Sequence, residues 1–170
     1  VPARRNFLKS EAVEFKHIED EFLRVALPHA DIKLTLIHND QVLYHLEKAN
    51  LRKRIIDIFG RTYNDKIVPI EEETDIVKIE GFIGKPEFAK KSRGEQYFFV
   101  NERFFRDNYF NHALTQAYDN LLASKTFPSY FVFFTIKPNA IDVNVHPTKT
   151  EIKFEADKEI YAILKSSVRR

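Results

Sequence analysis

A short run late in the chain, Tyr130 to Ile136, constrains the fold more than any other segment. All of its residues except Thr135 are apolar, which is typical of a strand that is buried on both faces. The run is much too short for a membrane-spanning helix, and the chain contains no stretch of roughly eighteen consecutive apolar residues. We therefore expect Tyr130 to Ile136 to lie inside a sheet that has other elements packed on it.

Helix and strand patterns alternate along the rest of the chain. Apolar spacing predicts helices over residues 11–27, 51–59, 107–123 and 157–168. Alternating or apolar runs predict strands over residues 33–38, 41–46, 67–70, 76–83, 95–100, 130–136, 140–145 and 151–154. The buried face of the third helix is predicted to consist of Phe110, Ala113, Leu114, Ala117 and Leu121. This order predicts an α+β fold, a mixed β-sheet with helices packed on it, in a single domain over residues 1–170.

Two local signals place the ends of the first elements. Asn39 and Asp40 separate two β-rich runs, and a two-residue connection of this kind predicts a tight hairpin turn. Ser10 is predicted to cap the first helix, because its hydroxyl can accept a hydrogen bond from a free backbone N–H of the first turn. The nine residues before that helix are predicted to form a basic entry arm, which contains Arg4 and Arg5.

The positive charges are concentrated in one segment, although the net charge of the chain is only +2. Residues 84–106 contain six lysines and arginines against three glutamates. Residues 84–94 carry four of these cations and are predicted to be an exposed, mobile basic loop. The acidic run Glu71 to Asp75 is predicted to be a solvated turn. The absence of cysteine excludes disulfides and thiolate metal sites and agrees with a cytoplasmic protein.

The last predicted hairpin carries polar side chains on one face. Asp142, Asn144 and His146 alternate with apolar residues, and Pro147 ends the strand because it has no N–H. Lys149 is then predicted to lie in the turn, with its side chain extending away from the domain. Two alternatives stay open here. One is an ordinary amphipathic hairpin, and the other is a metal site on the three polar residues, whose spacing is not a recurrent ligand pattern.

Two arginines follow the aromatic strand that ends at Val100. Arg103 and Arg106 are predicted to lie close together beside the basic loop. A guanidinium suits phosphate, because it donates paired hydrogen bonds to it. The alternative is that both arginines pair with Glu102, Asp107 or other carboxylates, and the residues alone favour neither.

Three segments resemble signatures of the MutL family of mismatch-repair proteins. Residues 2–8, Pro-Ala-Arg-Arg-Asn-Phe-Leu, resemble Thr-Pro-Ala-Arg-x-Lys-Phe-Leu, and residues 100–103 resemble Val-Asn-Gly-Arg. Residues 142–154, Asp-Val-Asn-Val-His-Pro-Thr-Lys-Thr-Glu-Ile-Lys-Phe, resemble the family's most specific signature. The three lie in the family's order and cover nearly the whole chain. The chain departs from the pattern at Val1, which replaces Thr, at Glu102, which replaces Gly, and at Asn108, which replaces a basic residue.

The resemblance implies a transducer domain with a left-handed βαβ fold similar to that of a ribosomal protein. In the family this domain follows an ATPase domain, which the opening on Val1 leads us to expect upstream. Lys149 matches the lysine that reaches the γ-phosphate of ATP held with Mg²⁺ by that domain. The residues expected to contact DNA are Arg4, Arg5, Lys90, Lys91, Arg93, Arg103 and Arg106.

The implied partners are non-specific DNA, a MutS-type mismatch sensor, the chain's own N-terminal ATPase domain and a second copy in a homodimer. We expect no membrane partner and a cytoplasmic, nucleoid-associated location. The chain has only four glycines and no Gly-rich phosphate loop, so by itself it is expected to bind no cofactor and to catalyse nothing.

Three other functions compete with this interpretation. The transducer domain of a gyrase-like topoisomerase shares the implied fold but not the Val-Asn-Val-His-Pro-x-Lys hairpin. A free-standing nucleic-acid-binding module would be expected to have a stronger basic face. A hydrolase built on His112 and His146 lacks any recognisable spacing of nucleophile and base.

Overall fold

The computed structural model describes residues 2–143 and 151–169, and the side chains of residues 11–142 and 151–169. The chain forms two compact units, residues 1–59 and residues 60–170. The prediction that residues 1–170 make one domain stays a prediction. Within the described part of the chain, no helix combines the length and the apolar composition needed to cross a membrane.

Unit 1 consists of two helices and a hairpin. Its elements are α1 (Pro2–Ala26), β1 (Leu34–His38), β2 (Gln41–Leu46) and α2 (Leu51–Phe59). The prediction that Ser10 caps α1 is wrong, because the helix already begins at Pro2, where a proline lacks only an N–H that the first turn leaves free. The hairpin is confirmed: β1 and β2 pair antiparallel, and Asn39 and Asp40 both have positive φ, as a tight hairpin turn requires.

A buried arginine organises unit 1. The Arg54 side chain is completely inaccessible to solvent. Its guanidinium donates hydrogen bonds to five backbone carbonyls, those of Ala26, His29, Ala30, Ile32 and Glu47. Ala26 ends α1, where carbonyls lack helical partners and the helix dipole favours a positive charge. Arg54 therefore joins the end of α1, the loop before β1 and the end of β2.

Unit 2 contains a five-stranded sheet with helices. The elements are β3 (Ile67–Glu73), β4 (Lys78–Gly84), β5 (Gln96–Val100), β6 (Arg103–Phe105), α3 (Asn108–Ala117), β7 (Tyr130–Thr135), β8 (Ile141–Val143), β9 (Ile152–Phe154) and α4 (Asp157–Arg169). The strand order is β3-β4-β7-β5-β6, with β5 parallel to β7 and the other pairs antiparallel. Strands β8 and β9 form a separate antiparallel pair. The predicted mixed α+β fold is confirmed.

Strand β7 lies in the middle of the sheet, as its apolar run predicted. Val132 and Phe134 pack in the core with Phe110 of α3 and Leu164 of α4. Phe131, which points to the opposite face, is also fully buried. The run is apolar because both of its faces are covered.

Two predicted boundaries are wrong. The acidic run is not a turn, because Glu71, Glu72 and Glu73 form the end of β3. The turn follows at Thr74, whose hydroxyl donates to the Val77 carbonyl. Helix α3 ends at Ala117 rather than residue 123, so Leu121 is 69% exposed instead of lying on the buried face. Apolar residues continue the helical spacing there, but a 3-10 turn over Asp119–Leu121 replaces the helix, so Leu121 faces solvent while Leu122 packs against the core.

Candidate nucleic-acid interface

A cleft of about 330 Å³ at the start of α3 brings together the two basic segments that the sequence singled out. Arg93 reaches it from the segment before β5, and Arg106 reaches it from the turn after β6. Both side chains belong to exposed residues. The Arg93 guanidinium lies over the Phe127 ring at 5.0 Å, and that of Arg106 lies over the Phe104 ring at 5.9 Å. Two guanidiniums at one opening suit the binding of a phosphate group.

Asp107 supplies the negative charge in this cleft. It caps α3, because its Oδ1 accepts a hydrogen bond from the Phe110 amide at 3.0 Å. Burial raises the pKa of Asp107 despite the amides that stabilise the charged form, and the nearby Asp157 raises it further. Asp107 therefore has a structural partner of its own in α3, while two arginines and one aspartate line the cleft.

Neutral polar groups complete the lining. The Tyr130 hydroxyl donates to Asn111 Oδ1 at 3.0 Å, and the Gln96 amide donates to the Pro128 carbonyl at 3.1 Å. Burial raises the pKa of Tyr130, whereas the charge of Arg93 acts to lower it, which places that charge near the hydroxyl. At neutral pH the Tyr130 hydroxyl keeps its proton, so it adds no negative charge to the cleft.

Lys90 is held by Glu95 and Tyr63 in an arrangement that we call the clasp. The Lys90 ammonium and the Tyr63 hydroxyl both donate to Glu95 Oε1, each at 2.5 Å. Lys90 also lies over the Tyr63 ring at 5.8 Å. The hydrogen bond with Glu95 is the main reason that the pKa of Lys90 is raised. Burial acts to raise the pKa of Glu95, but the hydrogen bonds from Lys90 and Tyr63 outweigh it and lower that pKa.

The clasp changes the interpretation of the basic segment 84–94. A short 3-10 turn covers Pro86–Phe88, and the backbone of Lys90 exchanges two hydrogen bonds with Phe127. The segment is thus anchored at its centre, which the sequence did not predict. Lys90, Lys91 and Arg93 are all exposed, but only Lys90 of the three forms an ion pair with Glu95.

The turn between β5 and β6 has the shape of a two-residue hairpin connection. Asn101 and Glu102 both have positive φ, 48° and 72°. The Asn101 side chain accepts from the Ile136 amide and donates to the Ile136 carbonyl, which fastens the turn to the end of β7. Glycine is favoured at such positions because it has no Cβ, so Glu102 keeps the turn geometry at an energetic cost.

Replacing Glu102 with glycine is therefore expected to raise the free energy of unfolding by about 0.5–1 kcal/mol. The relief of positive φ, about 1–2 kcal/mol, exceeds the entropy that glycine loses on folding. Thermal unfolding checks this. Asn101→Gly is the control, since it also places glycine at positive φ but deletes two hydrogen bonds, and it should be destabilising. A lower melting temperature for Glu102→Gly would contradict the argument.

Comparison with known proteins identifies the family. Residues 55–170 match the family described as DNA mismatch repair protein, C-terminal domain. The DNA mismatch repair protein MutL of Christiangramia forsetii is 57% identical over 169 residues, which is 99% of this chain and 27% of that protein. This chain belongs to the MutL family of DNA mismatch repair proteins. It spans about a quarter of the length of the curated MutL relatives that it matches.

Solved structures agree with the fold of this MutL chain. The crystal structure of the N-terminal domain of a DNA repair protein is similar with a TM-score of 0.75 and 20% identity, over 99% of this chain and 56% of that one. The Aquifex aeolicus MutL ATPase domain complexed with ADP is similar with a TM-score of 0.58 and 16% identity, over 96% of this chain and 52% of that one. At these identities the likeness concerns the fold alone.

The other MutL signature residues are placed as follows. Arg103 begins β6 and is exposed. Arg4 and Arg5 lie in α1, but their side chains are outside the described part of the chain. Lys149 is outside the described residues, as are Asn144 and His146. The structure thus unites Arg93 with Arg106 at one cleft, and the roles predicted for all seven cations and for Lys149 stay predictions.

The hydrolase and metal-site alternatives depend on His112 and on a cluster of metal-binding side chains. His112 Nδ1 and the Tyr161 hydroxyl lie 2.7 Å apart and share a hydrogen bond. Among residues 2–143 and 151–169, no group of three or more His, Cys, Asp or Glu is placed to hold a metal ion.

Sequence reasoning missed Tyr63, Glu95 and Asn101. Asn101 carried a usable signal, because asparagine is common at positive φ in hairpin turns. Tyr63 and Glu95 carried none, since they are 32 positions apart and meet only in the folded chain.

Proposed function

We propose that this chain is the transducer part of a MutL mismatch-repair ATPase. It completes the ATP site of an adjoining ATPase domain and couples the nucleotide state to the binding of DNA and of partner proteins. The observation that carries the proposal is the family match over residues 55–170. In the whole protein we expect a homodimer that meets a MutS-type mismatch sensor in the cytoplasm, near the nucleoid.

The nucleotide is expected to be held mainly outside this chain. Gly60 follows α2, Gly81 and Gly84 lie in β4, and Gly94 precedes β5, so none of the four contributes to a Gly-rich phosphate loop. ATP and Mg²⁺ would be bound by the ATPase domain, as ADP is in the Aquifex aeolicus MutL ATPase domain. From this chain, Lys149 is the residue proposed to reach the γ-phosphate. The chain alone is expected to bind no nucleotide.

DNA is proposed to contact the cleft through phosphate groups. Arg93 and Arg106 supply two cations at one opening, and Lys91, two positions before Arg93, is also exposed. Contacts of this kind carry little sequence information, because every phosphate presents the same oxygens. Binding is therefore expected to be non-specific and strongly dependent on salt.

Replacing Arg93 or Arg106 with glutamine is expected to weaken DNA binding and to reduce its salt dependence. Each lost phosphate contact should lower the slope of log affinity against log salt by about 0.9. Fluorescence anisotropy with a labelled duplex at several salt concentrations measures both quantities. Lys137→Gln is the matched control, since Lys137 is exposed but does not line the cleft.

The outcomes separate the parts of this proposal. The cleft is supported as the DNA site if both arginine variants bind DNA more weakly and show a smaller salt slope. Lys137→Gln should then have the same affinity and salt slope as the unmodified chain. Unchanged binding in both variants would assign DNA contact to another surface, such as the start of α1 with Arg4 and Arg5. If the unmodified chain showed no measurable DNA binding at low salt, the proposal that this chain binds DNA would be contradicted.

Replacing Lys149 with alanine in the full-length protein is expected to lower ATP turnover about ten- to a hundredfold. A charge-assisted hydrogen bond contributes about 1.5–3 kcal/mol, and each 1.36 kcal/mol corresponds to roughly tenfold in rate. ADP affinity should change little, because ADP has no γ-phosphate. Steady-state ATPase assays, ADP titration and a melting curve test this together. A normal rate, or a melting temperature lowered by many degrees, would make Lys149 an ordinary hairpin residue.

The MutL assignment is favoured over the two other nucleic-acid-binding functions. The matching family model and the 57% identical relative are both described as DNA mismatch repair proteins, and neither is described as a topoisomerase or a free-standing nucleic-acid-binding module. No observation favours the hydrolase.

A further inference from the structure

The loop of residues 90–95 is closed at both ends by the clasp. Lys90 and Glu95 stand at the two ends of this loop, and their ion pair joins them directly. Residues 91–94 between them are all exposed. Tyr63, from the turn after α2, donates to the same carboxylate oxygen, so the loop is also fixed to a second part of unit 2.

A chain of contacts leads from the clasp to the cleft. The Lys90 amide donates to the Phe127 carbonyl at 2.9 Å, and the Phe127 amide donates to the Lys90 carbonyl at 2.6 Å. The Phe127 ring then lies beneath the Arg93 guanidinium at 5.0 Å. At the other end of the loop, the Glu95 carbonyl accepts from the Tyr130 amide, which belongs to the cleft wall. Arg93 thus lies between two fixed points.

Glu95 uses only one of its two carboxylate oxygens in the clasp. Its Oε2 is buried and makes no hydrogen bond within the described part of the chain, which is costly for a carboxylate. An anion beside a cluster of cations would also repel DNA. The contacts of Oε1 with Lys90 and Tyr63 offset the cost of this unsatisfied oxygen, and they indicate a structural role for the carboxylate.

We infer that Glu95 is a positioning residue for DNA contact: with Lys90 and Tyr63 it holds the loop so that Arg93 lies at the cleft. This inference rests on the proposed function. Lys90 then acts within the clasp, and Lys91 and Arg93 make the phosphate contacts. The basic loop is a prearranged surface, in which less ordering is required when DNA binds.

The direction in which Glu95→Ala changes DNA affinity distinguishes a positioning role from a purely electrostatic one. If Glu95 acted only through its charge, its removal would raise DNA affinity. If it positions Arg93, Glu95→Ala should lower affinity by about fivefold and reduce the salt slope, since a phosphate contact is lost. Glu87→Ala is the matched control: Glu87 is exposed on the same basic segment and is not part of the clasp. Its removal should leave affinity unchanged or slightly higher.

Two further measurements keep the test independent of a general loss of stability. Tyr63→Phe changes no charge but removes one hydrogen bond of the clasp, and it should lower DNA affinity by about twofold. In a double-mutant cycle, Glu95→Ala should have almost no effect on DNA binding when Arg93 is already glutamine, because its effect passes through Arg93. All variants are measured in the full chain by anisotropy over a salt series, with melting curves to confirm folding.

The possible results divide cleanly. Lower affinity for Glu95→Ala and Tyr63→Phe, with loss of the Glu95 effect in the Arg93→Gln background, supports the inference. Unchanged or higher affinity for Glu95→Ala, or an equal effect with and without Arg93, overturns it and leaves DNA binding itself in place. If Glu95→Ala does not fold, Tyr63→Phe decides alone. Absence of DNA binding by the unmodified chain overturns the proposed DNA contact together with this inference.

Discussion

Replacing Gly81 with alanine is expected to lower the free energy of unfolding by about 4 kcal/mol or more. Gly81 lies in β4, opposite Ile70 of β3 and Val132 of β7. A Cβ at this position would stand 2.0 Å from the carbonyl oxygen of Phe131, well inside the distance at which the two atoms repel. Gly81 also has a φ of +143°, which other residues rarely adopt. Since the obstructing atom is backbone of the central strand, no side-chain movement relieves the clash.

Urea denaturation followed by far-ultraviolet circular dichroism measures this effect, because the chain has no tryptophan to report by fluorescence. Gly94→Ala is the matched control: a Cβ there would have no atom within 4 Å. It should change the free energy of unfolding by less than about 0.5 kcal/mol. A loss below about 1 kcal/mol for Gly81→Ala would mean that β4 and β7 can separate slightly at little cost.

Replacing Arg54 with methionine is expected to destabilise unit 1 by about 3–5 kcal/mol, because each buried carbonyl that loses its only donor costs about 1–3 kcal/mol. Methionine fills a similar volume but leaves five carbonyls without the guanidinium that they share. Burial lowers the pKa of Arg54, but an arginine remains charged at any pH at which the protein folds. The network is therefore present throughout the neutral range.

Hydrogen exchange measured by mass spectrometry on peptides from unit 1 tests the Arg54 prediction. Arg54→Lys distinguishes charge from geometry. A lysine keeps the positive charge, but its single ammonium cannot reach all the carbonyls that the two ends of the guanidinium contact, so most of the stability should still be lost. Lys53→Met is the control on the same helix. Lys53 forms an exposed pair with Asp57 at 3.0 Å, of a kind that contributes about 0.3–0.5 kcal/mol. Equal protection in the Arg54 and Lys53 variants would contradict the structural role of Arg54.

Local sequence patterns predicted many of the elements. The Asn39-Asp40 turn, the helix over Leu51–Phe59 and the start of α3 at Asp107 and Asn108 each depend on neighbours within a few positions, and each is confirmed. The apolar run at Tyr130 predicted a doubly covered strand, because burial on both faces leaves no polar side of the strand to detect. Where local spacing misled, as at Leu121, an apolar residue satisfied the helical pattern but the helix had already ended at Ala117, and the following turn points Leu121 to solvent.

The sequence by itself determined the α+β class, the Asn39-Asp40 hairpin turn, the central strand and, through the MutL signatures, the family. Only the tertiary structure decided which charges are available. Arg54, Lys90 and Arg93 are all cations in the sequence, yet the first binds carbonyls 7 to 28 positions away, the second is paired with Glu95, and the third lies at a cleft beside Arg106. The physical reason is distance along the chain. Helix caps and turns are formed by residues within a few positions, whereas the partner of a charge is set by whichever segments the sheet brings together.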